Sequence, residues 1–374
     1  MARMDPRGGA STAGPDDAAP TAVAGRARSI GRRLLDWPYT FAVALALSVG
    51  VLTMVVAHNL DLTLRDPDGF LGPSYIRLPA LGLLFVAGGI TIVAIIRSRS
   101  LRIGGQVKKI IREEWTWNRL FHVALGLITF YICYVSYRNL KGYLPLVREG
   151  VEYDTELTNL DRLLFFGNYP SLVLQDALGT SVAAQVLSTF YISYLVLVPI
   201  SLAALLVWSR DISLGAWYAT ALSLNWVLGV ASYYALPTVG PAFINNALFF
   251  ELPLNTGVAE LQRQLFRGRV GFLQNPFEGG INGIAGFASL HVSVVVTACL
   301  FLQRTAAHRV VRVIAWAFLP ITVLATIYFG WHYIADDVAG VAIGWVAVVI
   351  GAKVTGNTKK QRHPSEADGI PTAV

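Results

Sequence analysis

Eight apolar runs, each close to the length that crosses a bilayer, constrain the fold of this chain more than any other feature. A membrane-spanning helix needs about 20 mostly apolar residues. Because hydrocarbon offers no hydrogen-bond partners, spanning segments must satisfy their backbone groups internally, as helices do. The sequence therefore predicts an all-α, polytopic membrane helical bundle. The runs lie near residues 39–58, 76–96, 119–138, 183–208, 213–235, 287–303, 309–329 and 333–352.

Composition supports a membrane protein and argues against a nucleic-acid partner. Of 374 residues, 54% are hydrophobic and only 14% are charged, whereas a soluble domain carries about 25% charged residues. The net charge is +7, but the basic residues sit between apolar runs and at the termini, where membrane topology places them. Cys133 and Cys299 fall inside apolar runs, so they predict neither a disulfide framework nor a zinc site.

The first two runs are separated from the other six by a basic, amphipathic stretch typical of an interfacial helix. We therefore predict a six-span core with two additional N-terminal spans. The terminal segments lack apolar periodicity and predict disordered tails. The predicted divisions are a cytoplasmic tail (1–36), two transmembrane helices (37–98), a cytoplasmic amphipathic linker (99–118), the six-span core (119–353) and a second cytoplasmic tail (354–374).

Basic clusters predict the orientation in the membrane. Cytoplasmic loops carry an excess of Lys and Arg, and with eight spans the clusters at 26–33, 97–112 and 304–312 all fall on one side. We expect both termini in the cytoplasm of a multi-pass cell-membrane protein. The longer loops, 139–182 and 236–286, then lie outside, where residues 160–178 predict a surface-lying helix pair that could gate a lipid substrate.

His332 and Asp336 form the first candidate site. On a helix, residues four apart lie on one face within reach of each other. A carboxylate beside an imidazole fixes its tautomer and raises its basicity, as a nucleophilic or general-base histidine requires. The alternative is a polar helix start in an aromatic belt. Asp337 should point away from that face, either as a solvated residue or as a charge at the helix start.

Ser289 and His291 form the second candidate site, at the start of the sixth run. Gly280, Gly283 and Gly286 precede them, and a glycine-rich approach to a helix N-terminus suits an oxyanion such as phosphate. The alternative is that Ser289 only caps the helix. A metal site built from both histidines and a carboxylate is a rival interpretation, but no H-E-x-x-H motif supports it.

Arginines in the outer loops are unusual on the side expected to be poor in positive charge. One or two of them should pair with a phosphate, and Arg138, Arg267 and Arg269 are the candidates. The others are expected to face lipid headgroups or nearby acids. The set comprises Arg138, Arg148, Arg162, Arg263, Arg267 and Arg269.

The order of these motifs resembles the type 2 phosphatidic acid phosphatase superfamily of membrane lipid phosphatases and phosphotransferases. Within it, the chain is most similar to the branch that contains the fungal inositol phosphorylceramide synthases and many actinobacterial members. The resemblance covers roughly residues 115–353. It is carried by Tyr137-Arg138-Asn139-Leu140, the segment from Asp161 to Gln175, Phe190 to Tyr194 with Pro199, Leu236-Pro237-Thr238 with Pro241, Ala288-Ser289-Leu290-His291, and His332-Tyr333 with Asp336.

The resemblance implies a phosphohistidine mechanism without metal or cofactor. His332 would attack phosphorus, Asp336 would orient it, His291 would protonate the leaving oxygen, and Ser289 would hold phosphate oxygens. Transfer of a phosphorylated headgroup, of the inositolphosphoryl type, and hydrolysis both remain open. A non-enzymatic lipid-binding or transport protein is the alternative from another class.

Two departures from the family pattern concern the phosphate-binding cations. Thr326 stands where lipid phosphatases usually carry an Arg, and Pro237-Thr238 stands where they carry a basic element. Ala288 replaces the usual Pro before Ser289. The synthase-like branch shares the first two losses, which leave the phosphate-binding cations unassigned.

Overall fold

The computed structural model describes residues 36–66, 68–69, 72–98, 103–277 and 283–358. Most of both predicted tails, the basic cluster at 26–33 and Gly280 lie outside the described residues. Within the described part, the chain forms helices, with a short 3-10 turn at Asn246–Phe249 and one two-residue β-pair between Asp68–Gly69 (β1) and Gly72–Pro73 (β2). The helices are α1 (Thr40–Asn59), α2 (Ser74–Ser98), α3 (Gly104–Glu114), α4 (Trp117–Val147), α5 (Asp154–Leu164), α6 (Pro170–Leu178), α7 (Val182–Trp208), α8 (Ile212–Ala235), α9 (Pro241–Ile244), α10 (Gly257–Gln274), α11 (Leu290–Arg304), α12 (Arg309–Tyr328) and α13 (Ile334–Val354).

Each of the eight apolar runs coincides with a helix, which confirms the predicted helical membrane bundle. Seven of these helices are long and apolar enough to cross a membrane, and the eighth, α11, has 15 residues. At 1.5 Å per residue, α11 rises about 22 Å, less than the roughly 30 Å of a hydrocarbon core. Tyr194, in the middle of α7, donates to the Leu290 carbonyl at 3.1 Å. Helix α11 therefore begins inside the bundle, beside the middle of α7.

Helix α4 continues well beyond its apolar run, so the predicted loop boundary at residue 139 is wrong. The Asn139 side chain is fully buried. It accepts from the Arg65 N–H at 3.0 Å and donates to the Arg65 carbonyl at 2.8 Å. Tyr143, one turn later, donates to the Thr63 carbonyl at 3.2 Å. Because these polar groups bond to the α1–α2 connection, the helix extends to Val147, and Arg138 lies within it and not in an outer loop.

Close packing of α13 on α11 sets the distance between the two histidine segments. A Cβ atom at Gly340 would lie 2.4 Å from the Ser289 carbonyl oxygen, and one at Gly344 would lie 2.4 Å from the Ser293 carbonyl oxygen. Small residues spaced by four allow membrane helices to approach in this way. A buried hydrogen bond adds to the contact, since the Thr297 hydroxyl of α11 donates to the Gly344 carbonyl of α13 at 3.3 Å.

Different contacts mark the two ends of the bundle. At one end, Glu114 binds Arg97 and Arg210. At the other end, the two long connections meet, because the Tyr153 N–H donates to the Pro237 carbonyl at 2.9 Å. The first connection contains α5 and α6, which confirms the predicted helix pair. The second contains α10, an amphipathic helix that the sequence analysis does not predict.

Candidate active site

The predicted contact between His332 and Asp336 is present at the start of α13. Nδ1 of His332 lies 3.2 Å from Oδ2 of Asp336. The same oxygen accepts the Tyr333 N–H at 3.1 Å, so this carboxylate also caps the helix. Asp336 is completely buried and His332 is 6% exposed. Since Nδ1 faces the carboxylate, Nε2 is the ring nitrogen available to a substrate.

A backbone hydrogen bond brings His291 to the same place. The Ser289 N–H donates to the Asp336 carbonyl at 2.9 Å, and the rings of His291 and His332 lie 6.1 Å apart between centroids. Nε2 of His291 is buried and has no hydrogen-bond partner among the described residues. A buried unpaired nitrogen is energetically costly, so this atom is suited to hydrogen-bond with a polar group of a bound substrate.

Two tyrosines from α7 hold the His291 ring. Tyr191 stacks on it at 4.3 Å between centroids, and Tyr194 lies at 4.4 Å. The Tyr191 hydroxyl lies 3.5 Å from Nδ1 of His291. Both tyrosines belong to a segment that carries part of the family resemblance, but no role in the site was predicted for them. Their spacing of three residues, which puts both on one helix face, is the signal that could have identified them.

Of the two interpretations of Asp337, solvation is wrong, whereas a charge at the helix start is confirmed, because Asp337 lies in the first turn of α13. Asp337 is 4% exposed and accepts from the Thr326 hydroxyl at 2.9 Å. The Ser289 side chain also hydrogen-bonds to it. Protein surrounds the first turn of α13 at this position, so Asp337 is not open to water. Thr326, the residue in place of the usual Arg, thus serves to satisfy a buried carboxylate.

The Ser289 side chain acts as a helix cap, one of the two interpretations of the sequence. Its oxygen accepts from the Val292 N–H at 3.5 Å, and the residue is fully buried. Gly286 lies close by, because a Cβ there would meet the Thr238 hydroxyl at 2.6 Å and an Asp336 carboxylate oxygen at 3.2 Å. The approach to α11 therefore packs directly against the Asp336 carboxylate.

Two carboxylates of α5 fasten the outer connection to the His332 segment. Asp154 accepts from the Gly240 N–H at 2.8 Å and from the Tyr333 hydroxyl at 2.9 Å. Asp161 accepts from the Ile334 N–H at 3.2 Å. Neither carboxylate was assigned a role in the site from the sequence. Their spacing of seven residues places them on one face of α5, but nothing local indicates that this face meets α13.

Burial changes the acidity of these outer groups. Desolvation raises the pKa of Asp161 to about 7, with a further contribution from the carboxylates of Asp336 and Asp337, while the Ile334 N–H opposes the rise. Desolvation also raises the pKa of Tyr333, and the neighbouring Asp154 carboxylate adds to the effect. Asp161 therefore holds its proton to a higher pH than an exposed aspartate does, and Tyr333 also keeps its proton.

A cavity of about 250 Å³ opens beside His332. Of the residues that line it, Arg162 is the one cation. Its guanidinium lies 5.3 Å from the centre of the Tyr169 ring, and its Nε donates to the Gly167 carbonyl at 3.1 Å. Planar guanidinium groups bind phosphate oxygens well. Polar groups on the wall include Thr155, Thr158, Asn159 and Asn245.

The structure does not bring the three predicted arginines to this cavity. Arg269 pairs with Glu152 at 3.1 Å and lines a different cavity near Pro237 and Val239. Arg267 is exposed on α10. Arg138 donates to the Tyr134 hydroxyl at 3.3 Å, inside the bundle.

Sequence reasoning missed Lys141, a cation of α4. Its ammonium lies 5.5 Å from the centre of the Tyr233 ring and interacts electrostatically with His291.

Within the described residues, no three His, Cys, Asp or Glu side chains form a group that could hold a metal ion.

The fold and this site define a class of membrane proteins in which two histidines from separate helices meet inside one end of a helical bundle. Residues 155–350, just over half of the chain, match the family model of the PAP2 superfamily, and the chain belongs to that superfamily. Membership supports a phosphatase-type activity on a lipid phosphate. The match begins in α5, so α1 to α4 lie outside it. Comparison with curated proteins gave no match, and comparison with solved structures gave none either.

Proposed function

We propose that this chain transfers a phosphoryl or phosphorylated headgroup from a membrane lipid through a phosphohistidine formed on His332. The observation that carries the proposal is the pairing of two histidines with different surroundings. One imidazole has a buried carboxylate on Nδ1, and the other has a buried nitrogen without a partner among the described residues. A nucleophile and a proton donor need this difference.

In the first step, the lone pair of His332 Nε2 attacks phosphorus, and the bond from phosphorus to the leaving oxygen breaks. Nε2 of His291 gives its proton to that oxygen. Asp336 stabilises the positive charge that develops on the His332 ring, as a carboxylate beside a catalytic imidazole does. In the second step, the oxygen of water or of an alcohol attacks phosphorus and loses its proton to His291. The bond to Nε2 breaks, which regenerates both histidines.

Phosphoryl transfer depends mainly on positioning and on stabilising charge. Arg162 is our proposed cation for the phosphate oxygens, because it lines the cavity that His332 reaches. Arg138 and Lys141 are second candidates, on the α4 side of His291. Arg267 and Arg269 are not retained in this proposal, because Arg269 already binds Glu152 and Arg267 lies on the exposed face of α10.

The choice of acceptor separates a hydrolase from a transferase, because both share the same covalent intermediate. Our primary proposal is a lipid phosphatase or phosphotransferase, with inositolphosphoryl-type headgroup transfer as the alternative within this chemistry. A phosphatase releases a group from a lipid phosphate in the bilayer, and a transferase moves that group to another molecule. Release of phosphate by the purified protein would indicate hydrolysis, whereas exchange of a headgroup without phosphate release would indicate transfer.

We further propose that the site faces outward and that both termini are cytoplasmic. The support is the charge of the opposite end of the bundle, where Arg97 and Arg210 gather around Glu114, since basic residues favour the cytoplasmic side. A cysteine placed at Arg267, on the exposed face of α10, should react with an impermeant label on intact cells. A cysteine at Arg210 should not, and the reverse pattern would overturn the orientation.

Trapping the intermediate tests the proposal. Purified protein mixed with lipid phosphate labelled on phosphorus should acquire an acid-labile, base-stable label, as phosphohistidine does. His332→Ala should lose this label and at least a thousandfold in turnover. His58→Ala, an exposed histidine at the end of α1, is the matched control and should retain both. A protein that binds lipid phosphate but never becomes labelled would instead be a lipid-binding or transport protein.

A further inference from the structure

A groove of about 460 Å³ opens on the side of the bundle between α2 and α7. Its volume lies within the roughly 300–1,000 Å³ that is usual for ligand sites. Leu81 and Leu84 of α2 form one wall, Val198 and Pro199 of α7 form the other, and Phe130 of α4 lines its inner side. Because α2 and α7 are both predicted spans, the groove faces the hydrocarbon of the bilayer.

One end of the groove is polar and the other is apolar. Ser74 and Arg77 lie at the start of α2, and Arg77 donates to the Ser74 hydroxyl at 2.9 Å. Tyr134 of α4 lines the same groove. From Arg77 to Leu84, α2 rises about 10 Å through apolar lining. The polar residues therefore lie where α2 begins, and the apolar lining continues from there along α2, which suits an acyl chain.

The inner wall of the groove carries an unpaired hydrogen-bond donor. Trp226 of α8 lines the groove and is 7% exposed, and its indole N–H has no acceptor among the described residues. A buried donor without an acceptor is unfavourable. The ester or amide carbonyl that joins an acyl chain to a lipid head would supply the acceptor. This favours an acylated lipid over a simple hydrocarbon as the occupant.

Tyr194 joins the groove to the histidine site. It lines the groove, and its ring lies 4.4 Å from the His291 ring on its other side. Its hydroxyl donates to the Leu290 carbonyl at 3.1 Å, directly before His291. An occupant of the groove is therefore separated from His291 by one side chain.

We infer that this groove holds an acyl chain of the lipid substrate, which enters sideways from the bilayer between α2 and α7. This inference rests on the proposed function of the histidine site. It gives the N-terminal addition a role, because α2 lies outside the residues that match the family and yet builds one wall of the groove. Substrate preference for chain length should then depend on α2.

Photolabelling tests the groove independently of turnover. The probe is phosphatidic acid with a diazirine near the end of one acyl chain, added to the purified full-length protein in detergent. Label should map to residues 76–84 and 194–200 and should be displaced by excess phosphatidic acid. Leu81→Trp, which fills the groove, should lower this labelling at least fivefold. Leu83→Trp is the matched control, since Leu83 is 71% exposed on the same helix and does not line the groove.

Equal labelling of Leu81→Trp and Leu83→Trp would overturn the inference. If Leu81→Trp does not fold, Ala80→Trp replaces it, because Ala80 also lines the groove and is exposed. Turnover separates this inference from the proposed function. Leu81→Trp should lose at least tenfold in kcat/KM on long-chain phosphatidic acid and keep its rate on a small aryl phosphate. Groove labelling without any histidine phosphorylation would refute the proposed function and leave the lipid site standing.

Discussion

The backbone N–H of Ser289 donates to the carbonyl of Asp336 at 2.9 Å, and this bond joins the two histidine segments. The first segment enters α11 and the second enters α13, so the bond connects the starts of two helices. Directly beneath it, Gly340 lets α13 pass close to the same residue, Ser289. The separation of His291 and His332 is thus set by backbone contacts, which are less adaptable than flexible side chains.

Gly340→Ala should lower activity at least tenfold and reduce thermal stability. The added Cβ would lie 2.4 Å from the Ser289 carbonyl oxygen, so α11 and α13 must separate, and overpacking of this kind costs about 1–3 kcal/mol. Gly88→Ala is the control, because a Cβ at that helical position meets nothing within 4 Å. Thermal unfolding in detergent and lipid phosphate turnover measure both effects. Equal behaviour of the two variants would contradict the close packing.

Asp336→Asn should preserve the fold and lower turnover by roughly 10²–10⁴-fold. The amide keeps the shape but removes the charge that fixes the His332 tautomer and stabilises its protonated ring. Asp176→Asn, an exposed residue of α6, controls for the loss of one negative charge. Steady-state kinetics with the unfolding midpoint as a folding check measure the effect. Near wild-type turnover would make the carboxylate a helix cap only.

His291→Ala should impair turnover of alkyl phosphates far more than turnover of an activated aryl phosphate. A poor leaving oxygen needs a proton in the transition state, whereas an aryloxide does not. The ratio of kcat/KM for the two substrates, compared between variant and wild type, reports this difference. Equal losses on both substrates would assign His291 to phosphate binding instead.

Arg162→Gln should weaken turnover at least tenfold, and Arg269→Gln should change it less than threefold. Arg162 lines the cavity beside His332, whereas Arg269 pairs with Glu152 away from it. The two substitutions remove the same charge from the same side of the bundle, so each controls for the other. Measurements of kcat/KM on one lipid phosphate distinguish them, and the opposite ranking would restore the assignment from sequence.

Asp161→Asn should become progressively more stabilising, relative to wild type, as pH rises from 5 to 8. Burial raises the pKa of Asp161 from 3.8 to about 7. Between these values the folded state holds a proton that the unfolded state has lost, so the contribution of this residue to stability falls with rising pH. Asn mimics the protonated acid and removes that dependence. Unfolding midpoints at several pH values measure the stability difference between the variant and wild type. A difference that does not change with pH would refute the raised pKa of Asp161.

The sequence by itself determined the eight apolar helices and one local pair. The eight apolar runs lie within a few residues of eight helices, except at the end of α4, because continuous hydrophobicity over one span length is a local property. The contact between His332 and Asp336 was also predictable, since i, i+4 spacing fixes proximity on a single helix. Both inferences need only the geometry of one segment.

Only the tertiary structure decided which polar residues share a site. Asp337 is buried against Thr326 and not solvated, and the cavity beside His332 is lined by Arg162 and by none of the three candidate arginines. The end of α4 also depended on a tertiary contact, because Asn139 bonds to a connection more than 70 residues away in the chain. The spacing of residues in the sequence predicts neighbours within one helix, whereas burial and charge pairing depend on which helices pack together. In this bundle, close backbone contacts at glycines set that packing.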